Sequence, residues 1–459
     1  MSLPVILPLA VHREEQRLRG EAPLAAERSL RINVAWTFAG NVIYAACQWG
    51  MLIALAKLGS PEMLGRFALA LAVAAPVFMF TNLQLRAVEA TDMAHQFAFG
   101  DYMGLRTLST ALALLVIAGF AAWSRYPVWI AAVIVIVGCA KGAESISDAV
   151  YGVVQRQERM DLIARSMVLK GVISLAAFAL TMALTRSLVM GAAALAIAWS
   201  LVLVTYDFSL ARRFAGASPA PECRHPSLPR FSRDTLVRIT RLSLPLGITM
   251  MLISLNINVP RYFIEHLAGP RALGFFAAIA YLMVAGNLVI NAIGQSATPK
   301  LASRHASGDV RGFRSLLFRL CGAAAVPGIA GILAAILAGK PLLRLLYRAD
   351  YESYSGVFTL LMIAAAIGFV ASILGYGMTA ARILKPQPAL FAVVLLLSAA
   401  ACYFWVPAHG IEGGAFALIL ATVIQLAGSI LILLPALRVP QLAADSVSFI
   451  DESAAVPHS

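Results

Sequence analysis

Between residues 32 and 437, apolar runs of about twenty residues or more follow one another with only short polar turns between them. They lie near 32–56, 63–85, 104–124, 128–153, 162–185, 187–211, 242–264, 271–295, 316–339, 356–381, 388–406 and 411–437. A helix of about 20 apolar residues crosses the roughly 30 Å hydrocarbon core of a bilayer. Lipid offers the backbone no hydrogen-bond partner, so runs of this length must satisfy their N–H and C=O groups internally, as helices. The pattern predicts an all-α integral membrane protein with about twelve transmembrane helices.

Composition closes off the alternatives. Hydrophobic residues make up 60% of the chain and charged ones 13%, with a mean hydropathy of +0.81. A soluble domain carries about 25% charged residues, so a water-soluble core, disorder and a coiled coil are excluded. The net charge of +13 would suggest nucleic acid in a soluble protein. Here the basic residues sit in the turns between apolar runs, where they orient a membrane protein, and no nucleic-acid partner is expected. The five cysteines form no CxxC, and four lie inside apolar runs, which reads as small core residues.

The expected organisation is a polar arm (1–30), a six-helix lobe (31–211), a basic linker (212–241), a second six-helix lobe (242–437) and a tail (438–459). The arm puts its apolar stretch before its basic residues, the reverse of a secretory signal. The linker holds Pro219, Pro221, Pro226, Pro229 and seven arginines. With the N-terminus inside, 25 Lys/Arg fall on the cytoplasmic side, 9 on the other, and Lys141 and Lys170 within the membrane. The positive-inside rule then puts both termini in the cytoplasm.

The two lobes carry traces of a repeat. An offset of 209 pairs Leu58/Leu267, Pro61/Pro270, Leu64/Leu273, Gly65/Gly274, Phe67/Phe276, Ala68/Ala277, Ala70/Ala279 and Asn82/Asn291. An offset of 225 pairs Ser147/Ser372, Tyr151/Tyr376 and Gly152/Gly377. Each half contains an even number of spans, so both enter from the same side and are related by a pseudo-two-fold axis along the membrane normal. This is the architecture of an alternating-access transporter.

Charges deep in a bilayer cost about 2.5–3.5 kcal/mol on insertion scales and face a cavity or a partner. The fourth run places Lys141, Glu144, Asp148, Tyr151 and Gln155 on one helical face. An antiparallel fifth run brings Lys170 level with Glu144 and Asp148. Two compatible readings follow for Lys141–Glu144–Asp148–Lys170: a neutralised lock between helices, or the charged lining of a hydrophilic cavity. At offset 225 the second lobe has Ala366, Phe369 and Ile373 in place of Lys141, Glu144 and Asp148, so charge chemistry is expected in the first lobe. Uncharged polar stripes run through Asn41 and Gln48 on the first helix and Asn287, Asn291 and Gln295 on the eighth, joined by Asn82, Asn256 and Asn258. Amides suit sugar hydroxyls and equally glue helices together. Arg86, ending the second helix, suits a phosphate or snorkels to lipid headgroups. Pro76, Pro245 and Pro327 are candidate bends. GDYMG (100–104) fits a small-xxx-small motif but is expected in a loop. There is no Walker A, HExxH or GxSxG motif and no histidine cluster, so no catalytic residue, metal or cofactor is expected.

The stretches PVFMFTNLQLRAVEATD (76–92), FGDYMGLR (99–106) and KGAESISDAVYGVVQRQERMDLIARSMVLKG (141–171) resemble the polysaccharide transporter branch of the multidrug/oligosaccharidyl-lipid/polysaccharide exporter superfamily, the O-antigen and exopolysaccharide flippases. The resemblance spans about 30–440 and is specific in the first lobe. It implies a V-shaped two-lobe fold in the bacterial inner membrane that serves lipopolysaccharide or exopolysaccharide biosynthesis. The cargo it implies is an undecaprenyl-pyrophosphate-linked oligosaccharide, moved from the cytoplasmic to the periplasmic leaflet, with H+ or Na+ as coupling ion. Lys141, Lys170 and Arg86 are the positions that would meet the pyrophosphate, and Glu144 or Asp148 would carry a coupling proton or release Lys141. The alternative within the superfamily is a cation-coupled drug antiporter. Those typically use an acid in the first helix, and this first helix has none.

Overall fold

A computed structural model describes residues 30–92, 96–215 and 228–437, and these are almost wholly helical. The first lobe comprises α1 (Leu30–Leu58), α2 (Pro61–Thr81), the short α3 (Leu85–Thr91), α4 (Phe99–Trp123), α5 (Val128–Arg156), α6 (Met160–Thr185) and α7 (Leu188–Val202). A π-helical turn, Leu203–Asp207, carries α7 into α8 (Phe208–Ala215). The second lobe comprises α9 (Arg233–Tyr281), α10 (Met283–Ala306), α11 (Val310–Leu346), α12 (Ser355–Ala380), α13 (Gln387–His409) and α14 (Ile411–Leu437).

Eleven continuous helical segments among the described residues are long and apolar enough to span a bilayer. One of them, Arg233–Ala306, has 74 residues. At 1.5 Å per residue it would be about 110 Å long if straight, far more than one crossing. It breaks at Gly269, whose φ of 86° leaves the helical region, and Pro270 opens the next helix with its φ preset. The described residues therefore supply twelve helices long enough to cross a bilayer. Non-helical dihedrals fall at Gly269 and at Ala338, not at the expected bends Pro76, Pro245 and Pro327.

Helix ends follow local chemistry. Ser60 caps α2 by accepting from the Met63 N–H at 3.3 Å, with Pro61 in the first turn. Asp309 caps α11 through the Gly312 N–H at 2.8 Å. Asp101 reaches back to the Ala98 N–H at 3.0 Å and starts α4 at Phe99. That is five residues earlier than the apolar run, so GDYMG is helical and not a loop. Gly100 and Gly104 receive the non-helical linker segment 228–232 that leads into α9. Arg230 N–H donates to the Gly100 carbonyl at 2.8 Å, and a Cβ at Gly104 would lie 2.0 Å from the Arg230 carbonyl oxygen.

Large apolar side chains point outward, Leu337 at 80% exposure among them, as lipid-facing helices require.

The lobes meet along α2 and α9. The repeat partners touch each other: a Cβ on Gly65 would lie 1.8 Å from the Pro270 carbonyl oxygen, and one on Gly274 1.9 Å from that of Pro61. The reciprocity is that of a self-complementary contact on a two-fold axis. Polar ties between the lobes gather at this end. Trp49 Nε1 donates to the Tyr347 hydroxyl (3.1 Å), Lys57 to the Leu345 carbonyl (3.2 Å) and the Tyr126 hydroxyl to Glu265 (2.8 Å). Arg271 faces Glu62 at 3.6 Å. Burial, reinforced by the bond to Glu265, pushes the Tyr126 phenol above its usual range, so it remains a donor at physiological pH.

Candidate functional site

Charged side chains of the first lobe form three neighbouring groups, not one. The first lies where α2 ends. There α3 supplies Arg86, which donates through Nε to Gln155 (2.9 Å) and through a terminal nitrogen to Asp148 (3.4 Å). Asp148 is shared: its other oxygen takes Arg106 at 3.2 Å. Arg106 is fully buried and also donates to Asn82 and Ser145. Ser145 in turn donates to Asn82 at 2.6 Å. Arg86 and Asp148 keep 30% side-chain exposure each, so the guanidinium at the open edge is Arg86.

The second group is Lys141 and Glu144, 2.7 Å apart on one face of α5. Glu144 also accepts from the Tyr44 hydroxyl of α1 at 2.5 Å, and the Lys141 ammonium stands 5.2 Å from the Trp199 ring centre. Both charged side chains are about a quarter to a third exposed.

The third group overturns an expectation. Lys170 does not join Glu144 and Asp148. Its ammonium pairs with Asp207 at 2.8 Å and donates to the Tyr151 hydroxyl at 3.1 Å. Lys170 is 2% exposed and Asp207 0%. Ser166 donates to Asp207 at 2.5 Å and shares a 2.7 Å bond with Tyr151. Asp207 reaches this point at the end of the π-turn, a local rearrangement that often marks functional positions. Lys170 is thus enclosed and neutralised. Tyr151 joins the groups, its ring lying 5.2 Å from Lys170 and 5.5 Å from the Arg86 guanidinium.

The amides divide. Asn41 bonds its own helix through Thr37 (2.7 Å), and Asn256 ties α9 to the Phe391 carbonyl of α13 (3.0 Å). Asn258 donates to the Ser254 carbonyl (2.8 Å) and accepts from Arg261 (3.0 Å). These three, with Asn82, act as helix glue. Gln48 has a buried Nε2 without a partner. Asn287, Asn291 and Gln295 are exposed along α10, and Tyr376 donates to Asn291 at 3.3 Å.

Sequence reasoning missed three residues. Arg106 lies two residues inside the run placed at 104–124, yet only Lys141 and Lys170 were counted within the membrane. Asp207 is an acid within the sixth apolar run, the same signal that singled out Lys170. Arg261 lies inside the run expected at 242–264 and was not counted among the intramembrane charges; it sits within α9, with no carboxylate at ion-pair distance among the described residues. The second lobe is therefore not free of intramembrane charge. Tyr281 of the second lobe stands within electrostatic reach of both Arg261 and Glu144.

The model of the polysaccharide biosynthesis protein family matches residues 30–304. The capsular polysaccharide biosynthesis protein CapF of Staphylococcus aureus is 25% identical over 358 residues, covering 75% of this chain and 85% of that protein. Among solved structures, the lipid II flippase MurJ in an inward closed conformation superposes with a TM-score of 0.66 at 11% identity, over 91% of this chain and 93% of that one. The multidrug transporter DinF-BH of the MATE group gives 0.64 at 13% identity, over 88% and 94%. These two likenesses concern the fold alone.

Proposed function

Since the chain belongs to the polysaccharide biosynthesis protein family, we propose that it is a flippase that carries an undecaprenyl-pyrophosphate-linked oligosaccharide to the periplasmic leaflet of the bacterial inner membrane. The observation that carries this reading is the first charged group. Two guanidinium groups, Arg86 and Arg106, share the single carboxylate of Asp148 at 3.4 and 3.2 Å. One positive charge is left over, and it lies at the exposed edge, where a pyrophosphate finds charge-assisted donors. Lys141 adds a second half-open cation. Lys170 leaves the binding set, because Asp207 neutralises it away from any ligand.

In this proposal both termini are cytoplasmic, the tied end at Gly65 and Gly274 is periplasmic, and the molecule faces inward. The headgroup enters between the lobes, meets Arg86 and Lys141, and is released outside after the lobes rock, with no covalent step. Orientation is tested at Cys223, which lies outside the described residues. A membrane-impermeant thiol reagent should miss it in intact cells and label it after permeabilisation.

The drug-antiporter reading draws on the likeness to DinF-BH, but α1 offers no acid for a coupling cation. The experiment is depletion of the protein in its host. Lipid-linked oligosaccharide should accumulate where a lectin added to the periplasmic side cannot reach it. Wild type should restore access, and Arg86→Ala or Lys141→Ala at matched abundance should not. Accumulated glycan already within the lectin's reach would refute the flippase reading.

A further inference from the structure

Glu89 on α3 takes no part in the contacts above. It is fully buried, and neither carboxyl oxygen has a hydrogen-bond partner. Its space is built for it: α5 carries Gly152 at the contact, where a Cβ would lie 2.3 Å from Oε2. The charges within reach are Arg156 and Asp148 on α5, Arg106 on α4, and Asp92 just past α3. Tyr102 of α4 also faces it and donates its hydroxyl to Asp92 at 3.2 Å. The Nε groups of Arg106 and Arg156 are buried and unpartnered as well.

An ionised carboxylate in such company takes N–H···O bonds from the guanidinium groups, because these are the strongest pairs available to it. Here Arg106 commits its terminal nitrogens to Asp148, Asn82 and Ser145, and its spare Nε does not bond Glu89. A buried charge without hydrogen bonds is far more costly than a buried neutral acid.

We propose that Glu89 is a proton-binding site. It is a carboxylic acid in this inward-facing arrangement, and its proton is linked to the occupancy of the Arg86–Arg106 group by an anion. Ionising Glu89 places a negative charge beside Arg106 and Arg156 and removes part of the positive field an anion would meet. Protonation restores it. Linkage makes this reciprocal: a bound anion raises proton occupancy at Glu89 to the same degree. The linkage rests on the anion role proposed for Arg86; the protonated state of Glu89 does not.

The full-length protein in lipid nanodiscs tests both parts. Infrared spectra at neutral pH should contain a protonated-carboxyl C=O band that Glu89→Gln removes. Affinity for inorganic pyrophosphate should fall with rising pH more steeply in the wild type than in Glu89→Gln, by up to about tenfold per pH unit where one proton is linked. The Gln variant, a shape match for the neutral acid, should keep the wild type's low-pH affinity throughout. Should Gln lower the folded yield, Glu89→Asp, which keeps an acid in the cavity, should retain the band and the steeper profile. Absence of the band, or the same pH profile in wild type and Glu89→Gln with binding intact, overturns the role of Glu89. Loss of pyrophosphate binding in both proteins overturns the linkage together with the anion role of the arginines, while the band still decides the protonation state.

Discussion

Replacing Gly65 by alanine should open the end at which the lobes are tied. The new Cβ would lie 1.8 Å from the Pro270 carbonyl oxygen and 2.7 Å from its carbon. Non-bonded heavy atoms settle at about 3.5–4.0 Å, and a helix carbonyl cannot turn aside. The lobes must part by about 2 Å at this point. The cross-lobe bonds Trp49–Tyr347 and Lys57–Leu345, at 3.1 and 3.2 Å, are then beyond hydrogen-bond length. Overpacking of this kind costs about 1–3 kcal/mol, a shift of about 5–150-fold between two conformations. The assay is double electron–electron resonance between spin labels on Leu58→Cys and Leu345→Cys, with the native cysteines replaced. Gly65→Ala should deplete the short-distance population, and Gly274→Ala should do the same, because its Cβ meets the Pro61 carbonyl oxygen at 1.9 Å. Gly119→Ala, with nothing within 4 Å of the new atom, is the control. Unchanged distances in well-folded Gly65→Ala would refute the claim that this contact closes the tied end.

The buried Lys170–Asp207 pair should behave as a lock: Lys170→Met or Asp207→Leu alone should cost about 3–5 kcal/mol and lower membrane abundance, and the double variant should recover it. A double variant no more abundant than the singles would contradict this. Arg106→Lys keeps the charge but loses the planar fork that reaches Asp148, Asn82 and Ser145 together, so glycan export at matched abundance should fall about tenfold or more; unaltered export would mean that charge alone suffices. Gly104→Ala sets a Cβ 2.0 Å from the Arg230 carbonyl oxygen and should lower thermal stability by about 1–3 kcal/mol, read from a melting curve in detergent. An unshifted melt would mean that the 228–232 segment does not bear on stability.

What could be read from the sequence and what could not divide along a physical line. Twelve spanning helices in two lobes were legible because burial in lipid forces a length onto each apolar run, which survives in composition alone; the family was legible only through the resemblance carried by 76–92, 99–106 and 141–171. Even the axis was present: Pro61/Pro270 and Gly65/Gly274 match because the same backbone approach is made twice, once from each side. Partner choice among charges was not legible. The spacing of Lys141, Glu144 and Asp148 on α5 fixes a common face, but a long cation selects its carboxylate in three dimensions. Lys170 found Asp207 because a π-turn in the sixth crossing rotates that acid inward, and no 3.6-residue count anticipates a turn wound differently. Arg106 was hidden by a boundary. Hydropathy locates the lipid-facing stretch of a helix, and α4 starts five residues before that stretch, capped by Asp101. The functional consequence follows from the same distinction. Residues that hydropathy marks as outside the membrane can still lie deep in the protein. At the C-terminal end of α2, Glu89 and Arg106 are fully buried while Arg86 keeps the exposed edge, so the charges proposed to meet the substrate sit where the hydrophobic pattern stops being informative.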